Sequence, residues 1–310
     1  MQRSRVSILI PTWNGVWTLP ALLDAIDRQS RRPDEIVAID SGSSDGTHAL
    51  LQGRGVRVQS IAPNEFNHGE TRNAGVAASA GDLIVLTVQD AVPTTAGWLE
   101  ALTRPLDDDP LVAGTFARQV PSADASALTR WSLDRWVAAR AEPRVVGPFA
   151  RAELESLPPS SRLDVCAFDN VCSCIRREAW LRHPFKRVAI AEDLEWSRDV
   201  LVDGWKIAYT PDACVRHSHD RGPAYEWRRT YLVHRRLMEL FDLSTIPSVG
   251  QLAVSIARTA AAHARVCGRE RTPLNAWTRA AALALVWPAG QYLGARDARR
   301  GAPERTFAGI

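Results

Sequence analysis

The sequence is poor in the features that mark membrane-spanning, secreted and disulfide-bonded proteins. No apolar stretch reaches the ~20 residues that are needed to span a bilayer. The five cysteines include no C-x-x-C pair, and no secretory signal peptide accompanies them. The N-terminus enters an apolar strand pattern almost directly, which leaves no room for a targeting segment. We therefore expect reduced thiols and a cytoplasmic protein.

The chain also lacks a large excess of charge of either sign. The chain carries 38 basic and 35 acidic residues, so its formal net charge is only +3. Such a balance gives no broad basic field, and we expect no nucleic-acid partner. With 45% hydrophobic residues in 310, the chain is instead long and apolar enough to bury one large core or two smaller ones.

Three widespread catalytic and nucleotide-binding motifs are absent. No G-x-G-x-x-G follows the first predicted strand, and no G-x-x-x-x-G-K-S/T occurs anywhere. Their absence argues against a dinucleotide dehydrogenase and a P-loop enzyme. A G-x-S-x-G nucleophile elbow is missing as well, which argues against the corresponding serine hydrolases.

The first third of the chain alternates between two hydrophobic patterns. Unbroken apolar, β-branched runs predict strands at 6–10, 35–40, 56–61 and 83–88, and apolar residues at helical spacing predict helices between them, one of them at about 69–80. Strands alternating with helices through short connections predict a doubly wound α/β unit. Ligands of such folds bind at the carboxyl ends of the strands.

Polar clusters stand at three of these strand ends. The segment 12–14 follows the first strand, 40–45 follows the second, and Asp90 follows the fourth. Each cluster taken alone is also typical of turns and helix caps. Three clusters at three strand ends favour a common binding site.

The polar residues suit a divalent cation and a phosphate-bearing ligand. Asp90 can supply a carboxylate, and His217 or His219 at the end of the last predicted strand can supply an imidazole to Mg²⁺ or Mn²⁺. Arg72 can pair bidentately with phosphate or stack on a base. His68 either belongs to this set or only caps the helix that follows it.

Six segments in order resemble the family 2 glycosyltransferases of GT-A fold: SILIPTWNG, EIVAIDSGSSDGT, NHGETRNAG, VQDA, AEDLEWSRDVLVDGWKIAY and VRHSH. The resemblance covers about residues 4–220, and FNHGETRNAG followed by QDA is most similar to the rhamnosyltransferase branch. It implies an α/β fold with a doubly wound mixed sheet. The implied catalytic domain is 1–220, with a nucleotide-binding half at about 1–93 and an acceptor half at about 94–220. A C-terminal helical region would occupy 221–310.

The resemblance implies a role for each matching residue. Nucleotide-sugar binding is implied for Pro11, Thr12, Trp13, Asn14, Asp40, Asp45, His68, Arg72, Gln89 and Asp90. Asp40 would hydrogen-bond a pyrimidine base. Metal binding is implied for Asp90, His217 and His219, although the family's D-x-D is reduced here to Gln89-Asp90-Ala91. Asp193 matches the catalytic base, with Glu192 beside it.

The implied reaction is an inverting sugar transfer. Asp193 would take the proton of the acceptor hydroxyl, while a divalent cation and Arg72 would offset charge on the leaving diphosphate. The branch implies dTDP-L-rhamnose as donor and a saccharide or lipid-linked saccharide as acceptor. A UDP- or GDP-sugar donor, a non-catalytic nucleotide-sugar-binding module and a nucleotidyltransferase are the alternatives.

Two further predictions concern aromatic and basic residues. Trp13, Trp131, Trp136 and Trp196 could each offer a sugar-stacking face, and we assign the acceptor contact to Trp196. The segment EWRRTYLVHRRLMELF, residues 226–241, either lies as a basic amphipathic helix on the inner face of the plasma membrane or packs against the catalytic domain. Cys172 and Cys174 are predicted to be buried thiols, since C-x-C is poor zinc spacing.

Overall fold

The computed structural model of the chain describes residues 3–305 and residue 307. The strands are β1 Val6–Thr12, β2 Glu35–Asp40, β3 Arg57–Ser60, β4 Leu83–Thr87, β5 Val92–Pro93, β6 Val112–Val120, β7 Arg144–Val146, β8 Cys172–Arg176 and β9 Lys206–Arg216. The helices are α1 Leu19–Asp27, α2 Thr47–Gly53, α3 His68–Ala78, α4 Trp98–Asp108, α5 Ala127–Leu133, α6 Arg151–Ser156, α7 Pro159–Val165, α8 Arg177–Arg182, α9 Glu192–Val202, α10 Pro223–Phe241, α11 Val249–Arg269 and α12 Leu274–Arg299.

The described strands form one mixed sheet in the order β3-β2-β1-β4-β8-β6-β9-β5, with β7 paired to β9. Strands β1 to β4 are mutually parallel. Strand β8 runs antiparallel to both β4 and β6, whereas β6 and β9 are parallel. The start of β8 therefore lies at the same edge of the sheet as the ends of β1, β2, β4, β6 and β9.

The sheet is buried on both faces because helices cover each side. In β1, Leu9 faces one apolar cluster, while Ile8 and Ile10 face the other. This alternation within an unbroken apolar run is what a central parallel strand requires. The four strands predicted in the first third are confirmed to within two residues at either end.

The stretch 121–163 consists of several short elements. It contains α5, a 3₁₀ turn at Val137–Ala139, the short strand β7, α6 and the first part of α7. Strands β5 and β7 have two and three residues, which is too few for an alternating pattern to be recognised in a sequence.

Helix α10, for which a membrane surface and the catalytic domain were the alternative partners, packs against the rest of the protein. Tyr231, Leu232, Leu237 and Phe241 of α10 are buried, and Arg236 forms an ion pair with Glu195 of α9 at 2.7 Å. The structure therefore supports the packing alternative for this helix, because much of its apolar side is covered. The boundary near residue 220 stays a prediction.

Two smaller expectations can be compared with the structure. Within residues 3–305 and 307, no helix combines the length and apolar character needed to cross a bilayer. Cys172 and Cys174 are buried as predicted, and burial raises the pKa of both thiols.

Candidate functional site

The loops after β1 and β2 are tied together at the carboxyl edge of the sheet. The Thr12 hydroxyl donates to the Asp40 carboxylate at 3.2 Å, and the same carboxylate accepts from the backbone N–H of Ser43 at 2.9 Å. The Asn14 N–H donates to the Ser43 hydroxyl, and the Asn14 side chain accepts from the Ser44 N–H. The predicted strand-end clusters thus meet, as a doubly wound fold requires. Thr12 and Asp40 themselves are buried.

Asp45 and Gln89 hold these loops in position. Asp45 accepts from the N–H of Val16 at 3.1 Å and from the hydroxyl of Thr47 at 2.5 Å. The Gln89 amide accepts from the Trp13 N–H at 2.9 Å and donates to the Trp13 carbonyl at 3.1 Å. The Trp13 side chain projects outward from this turn and is 61% exposed.

Arg72 lies beneath the acidic pair and away from the surface. Arg72 is 6% exposed, and its guanidinium donates to Glu192 at 3.0 Å and to the carbonyl of His68. In this structure Arg72 therefore supports Glu192, and its nucleotide contact stays a prediction. Although burial opposes it, the charges of Arg72 and His68 lower the pKa of Glu192.

Asp193, next in sequence, has a different environment. It is half-buried and accepts hydrogen bonds only from backbone N–H groups, those of Leu194 at 2.8 Å and Asn170 at 3.3 Å. Burial first, then the charges of Glu192 and Asp169, raises the pKa of Asp193 to about 8. Two adjacent carboxyl groups are thereby separated into one ionised group and one that can exchange a proton near neutral pH.

The start of α9 is held in an uncommon conformation. Ala191, which precedes the acidic pair, has a φ of 64°. This left-handed conformation costs a non-glycine residue about 1–2 kcal/mol. It fixes the direction in which α9 presents Glu192 and Asp193.

Asp90, His217 and His219 form a cluster that can hold a metal ion. One ligand atom from each lies within 4.8 Å of the others. Nε2 of His219 is 3.1 Å and Nε2 of His217 is 3.7 Å from the Asp90 carboxylate. Although burial opposes it, the histidines lower the pKa of Asp90, and burial lowers the pKa of His217. An ionised carboxylate and neutral imidazole are the forms that bind a cation, so the donor set fits the predicted metal.

Three residues of the site were not identified from the sequence: Gln119, Asp169 and Asn170. Gln119 is the penultimate residue of β6, and Asp169 and Asn170 lie three and two residues before the start of β8 at Cys172. Asn170 donates from its side chain to Glu192 at 3.3 Å and from its backbone to Asp193. Gln119 was recognisable as a polar residue at a strand end, whereas the place of Asp169 and Asn170 depends on the antiparallel direction of β8.

Trp196 does not line the site. It is 2% exposed and packs between Phe168 and Phe185, with ring centroids at 5.0 and 5.7 Å. The prediction that Trp196 stacks on the acceptor sugar is wrong, because its helix turns it into the core. Trp136 is 44% exposed, and its indole N–H donates to Asp169 at 2.8 Å.

His68 is not the cap of α3. The Asn67 side chain accepts from the N–H groups of Gly69 and Glu70, both at 3.1 Å, and is the N-cap. The capping alternative for His68 is therefore wrong. His68 is partly buried within electrostatic range of Glu192, and burial lowers its pKa.

The chain matches a known protein family. The model of the family described as "Glycosyl transferase family 2" matches residues 7–182. The chain belongs to this family. It is therefore a glycosyltransferase. The O-antigen chain rhamnosyltransferase RfbN of Salmonella typhimurium (strain LT2) is 30% identical over 231 residues, which are 73% of this chain and 70% of RfbN.

Solved structures share the fold. The mannosyltransferase PcManGT from Pyrobaculum calidifontis, in complex with GDP-Man and Mn²⁺, has a TM-score of 0.61 at 18% identity and covers 96% of this chain and 88% of its own. Glucosyl-3-phosphoglycerate synthase from Mycobacterium tuberculosis, in complex with Mg²⁺ and UDP, has a TM-score of 0.56 at 21% identity. The match covers 80% of this chain and 82% of the synthase chain. The predicted GT-A fold is confirmed.

Proposed function

We propose that this glycosyltransferase moves L-rhamnose from dTDP-L-rhamnose, with inversion, to a saccharide or a lipid-linked saccharide. The observation that carries the proposal is that the raised pKa of Asp193 and the Asp90, His217 and His219 cluster occur at one edge of the sheet. The similarity to a rhamnosyltransferase supports the sugar.

Asp193 is the catalytic base of the proposed reaction. Its carboxylate accepts the proton of the acceptor hydroxyl while that oxygen bonds to the anomeric carbon. The bond between this carbon and the donor diphosphate breaks, and the diphosphate leaves with the electron pair. Glu192 stays ionised beside Arg72 and keeps the proton affinity of Asp193 high. Its role in the proposed reaction is exerted through Asp193.

Asp90, His217 and His219 would hold the divalent cation. Two imidazole nitrogens and one carboxylate suit Mn²⁺ better than Mg²⁺, which prefers oxygen ligands. When bound, the cation supplies positive charge that offsets the charge of the departing diphosphate. A single carboxylate in place of a full D-x-D leaves the chain's own histidines as the other ligands.

Trp13 and Asn14 are assigned to contact the donor nucleotide, since both are exposed at the strand-end loops. Thr12, Asp45 and Gln89 support this surface through the hydrogen bonds that join the loops. For Asp40, Pro11 and His68 we retain the proposed position beside the nucleotide.

Trp136 takes the acceptor role that was assigned to Trp196. Its half-exposed indole is anchored to Asp169, and the neighbouring Asn170 donates to the proposed base. An aromatic face at this position can pack against the apolar face of a sugar ring while Asp193 faces its hydroxyl.

A lipid-linked acceptor requires the enzyme to reach a membrane, and two helices offer a surface for that contact. Leu274, Trp277 and Leu285 of α12 are exposed apolar residues, and Val249 and Val254 are exposed on α11. Exposed Arg258, Arg265 and Arg269 on α11 could pair with anionic lipid. We propose peripheral contact through α11 and α12 at the inner face of the plasma membrane.

A UDP- or GDP-linked sugar is the second candidate donor. The structures solved with UDP and with GDP-Man share this fold. A binding module without turnover is the weaker alternative, because the raised pKa of Asp193 would have no use in it.

The test is donor turnover with purified protein and Mn²⁺. Release of nucleoside diphosphate is followed by chromatography with dTDP-rhamnose, UDP-glucose and GDP-mannose, each with and without saccharide acceptors, and thermal stability is measured with dTDP, UDP and GDP. A nucleotide at ~100 times its Kd should add ~2.7 kcal/mol to stability. Mn²⁺-dependent release of dTDP from dTDP-rhamnose alone supports the proposal, while stabilisation by a nucleotide without release of diphosphate from any donor supports the binding module.

A further inference from the structure

Two buried polar residues connect the candidate metal cluster to the candidate acceptor side, and nothing above assigns either of them a role towards the metal. Gln119 and Asp169 are both buried. The Gln119 amide nitrogen donates to the Asp169 carboxylate at 2.5 Å, and the Gln119 amide oxygen lies 3.1 Å from Nδ1 of His217. Buried polar groups are costly unless they have hydrogen-bond partners. Here Gln119 has two partners, Asp169 and the candidate metal ligand His217.

The direction of this chain of hydrogen bonds follows from Asp169. A carboxylate can only accept, so the Gln119 NH₂ group must face Asp169. The opposite amide orientation would set the amide oxygen against the carboxylate. With NH₂ towards Asp169, the amide oxygen faces His217 and can only accept a hydrogen bond from Nδ1–H.

The carboxylate of Asp169 is itself held in place from the other side. The Trp136 indole N–H donates to Oδ2 at 2.8 Å, and the Val171 backbone N–H donates to Oδ1 at 2.9 Å. Both oxygens therefore have fixed partners, which leaves the carboxylate one orientation towards Gln119.

We propose that Asp169 is a positioning residue that acts through Gln119 to fix His217 as the Nδ1–H tautomer, so that Nε2 is free to bind the divalent cation. This rests on the proposed function only for the cation. Nε2 is the nitrogen that faces Asp90, and the partner of the other ring nitrogen commonly sets the tautomer and orientation of a metal-binding histidine.

The first experiment measures the tautomer directly and needs neither metal nor substrate. Protein labelled with ¹⁵N at histidine is studied by long-range ¹H–¹⁵N NMR above neutral pH, and the His217 signals are assigned by their loss in His217→Gln. We expect a protonated Nδ1 and an unprotonated Nε2 in the wild type, and a mixture of tautomers in Gln119→Leu. A wild-type His217 protonated on Nε2 would overturn the proposal.

The second experiment titrates Mn²⁺ into the metal-free protein and follows the free ion by electron paramagnetic resonance. Loss of a hydrogen-bond partner behind a metal ligand typically weakens binding about 10- to 100-fold, and we expect this loss in Asp169→Asn and in Gln119→Leu. Asp164→Asn is the control, because it removes the same charge from an acid that pairs with Arg140 and Arg144.

The two variants separate positioning from simple charge. Gln119→Leu changes no charge and leaves Asp169 in place, so weakened Mn²⁺ binding in both variants supports the relay. Weakening in Asp169→Asn alone would contradict it, because charge acting through space would suffice. If the wild type binds no Mn²⁺ but shows the Nδ1–H tautomer, the proposed metal fails while the positioning role of Asp169 stands.

Discussion

At the scale of single residues, Glu192 and Asp193 are adjacent carboxyl groups with opposite electrostatic surroundings. Asp193 must lose its proton to act as a base, and burial and Glu192 raise its pKa to about 8. We therefore expect kcat/KM to rise with pH and to level off above about 8. In Glu192→Gln the neighbouring negative charge is lost, so the rise should move to lower pH. An unshifted pH profile in that variant would contradict this coupling.

Asp193→Asn should lower kcat by about 10²–10⁴-fold, the usual contribution of a general base. Turnover of the donor by the purified variant measures this.

The variant Asp193→Asn should also be more stable than the wild type near neutral pH. Because folding raises the pKa of Asp193 from 3.8 to about 8, the carboxyl group contributes to stability below pH 3.8, where it is protonated in both states. This contribution is lost as the pH rises towards about 8. Thermal unfolding at pH 4 and pH 7 measures this: the advantage of the variant should be present at pH 7 and absent at pH 4.

Trp13 and Trp17 form a matched pair of exposed aromatic residues. Trp13 lies on the loop that Gln89 holds, whereas Trp17 is 92% exposed just before α1. Stacking of a base on an aromatic ring contributes about 1–3 kcal/mol, so Trp13→Ala should weaken dTDP binding by about 10- to 100-fold in calorimetry. Trp17→Ala should leave it unchanged, and equal losses in both variants would remove Trp13 from the nucleotide site.

Single residues also define what the sequence could predict about the site. Asp90, Asp193 and the two histidines were found because each follows a strand end or begins a helix in a recognisable motif. The burial of Arg72 and Trp196 was not predictable, since an arginine or tryptophan in a helix looks alike in sequence whether it faces the cleft or the core. Their directions depend on how α3 and α9 pack.

At the scale of elements, the helices α3 and α9 meet through the segment 185–188. Asn73 of α3 donates to the carbonyl of Phe185 at 2.7 Å and accepts from its N–H at 3.0 Å. The Asn67 side chain donates to the carbonyl of Val188 at 2.9 Å. The hydrogen-bond-rich sequence of α3 thus fixes the chain that leads into Asp193.

Gly69 of α3 is where this contact is closest, and a Cβ there would overlap the carbonyl oxygen of Lys186. Gly69→Ala should therefore destabilise the protein by about 1–3 kcal/mol in urea unfolding and lower kcat by displacing Asp193. Gly53→Ala in α2 is the control, since a Cβ there meets nothing within 4 Å. It should be neutral or stabilise by up to about 1 kcal/mol. Equal stability of the two variants would mean that the backbone of the 185–188 segment can move away from a Cβ at position 69 without a cost in stability.

The direction of β8 was the element-level feature that the sequence could not supply. A strand buried on both faces looks alike in sequence whether its neighbours run parallel or antiparallel to it. Because β8 is antiparallel to β4 and β6, Asp169 and Asn170 before it arrive at the catalytic edge. The alternation of strands and helices predicted β1 to β4 well, since these four strands are mutually parallel.

At the scale of the whole molecule, the C-terminal helices divide the surface into covered and open parts. Helix α10 has its apolar side buried and is tied to α9 by Arg236. Helices α11 and α12 keep exposed apolar residues beside arginines. The basic segment that favoured a membrane from sequence is thus the packed one, because amphipathic patterns do not distinguish a lipid surface from a protein surface.

The last prediction concerns this open surface. Vesicles containing phosphatidylglycerol should bind the protein in a flotation assay, and vesicles of phosphatidylcholine alone should not, because the arginines of α11 need anionic lipid. Burying one large apolar side chain contributes about 1.5–3 kcal/mol, so Trp277→Ser should weaken binding at least about tenfold. Leu181→Ser is the control, since Leu181 is also an exposed apolar residue but lies on α8. If both substitutions weaken flotation alike, or if neither does, contact with lipid does not involve α12 and the acceptor must reach Asp193 without it.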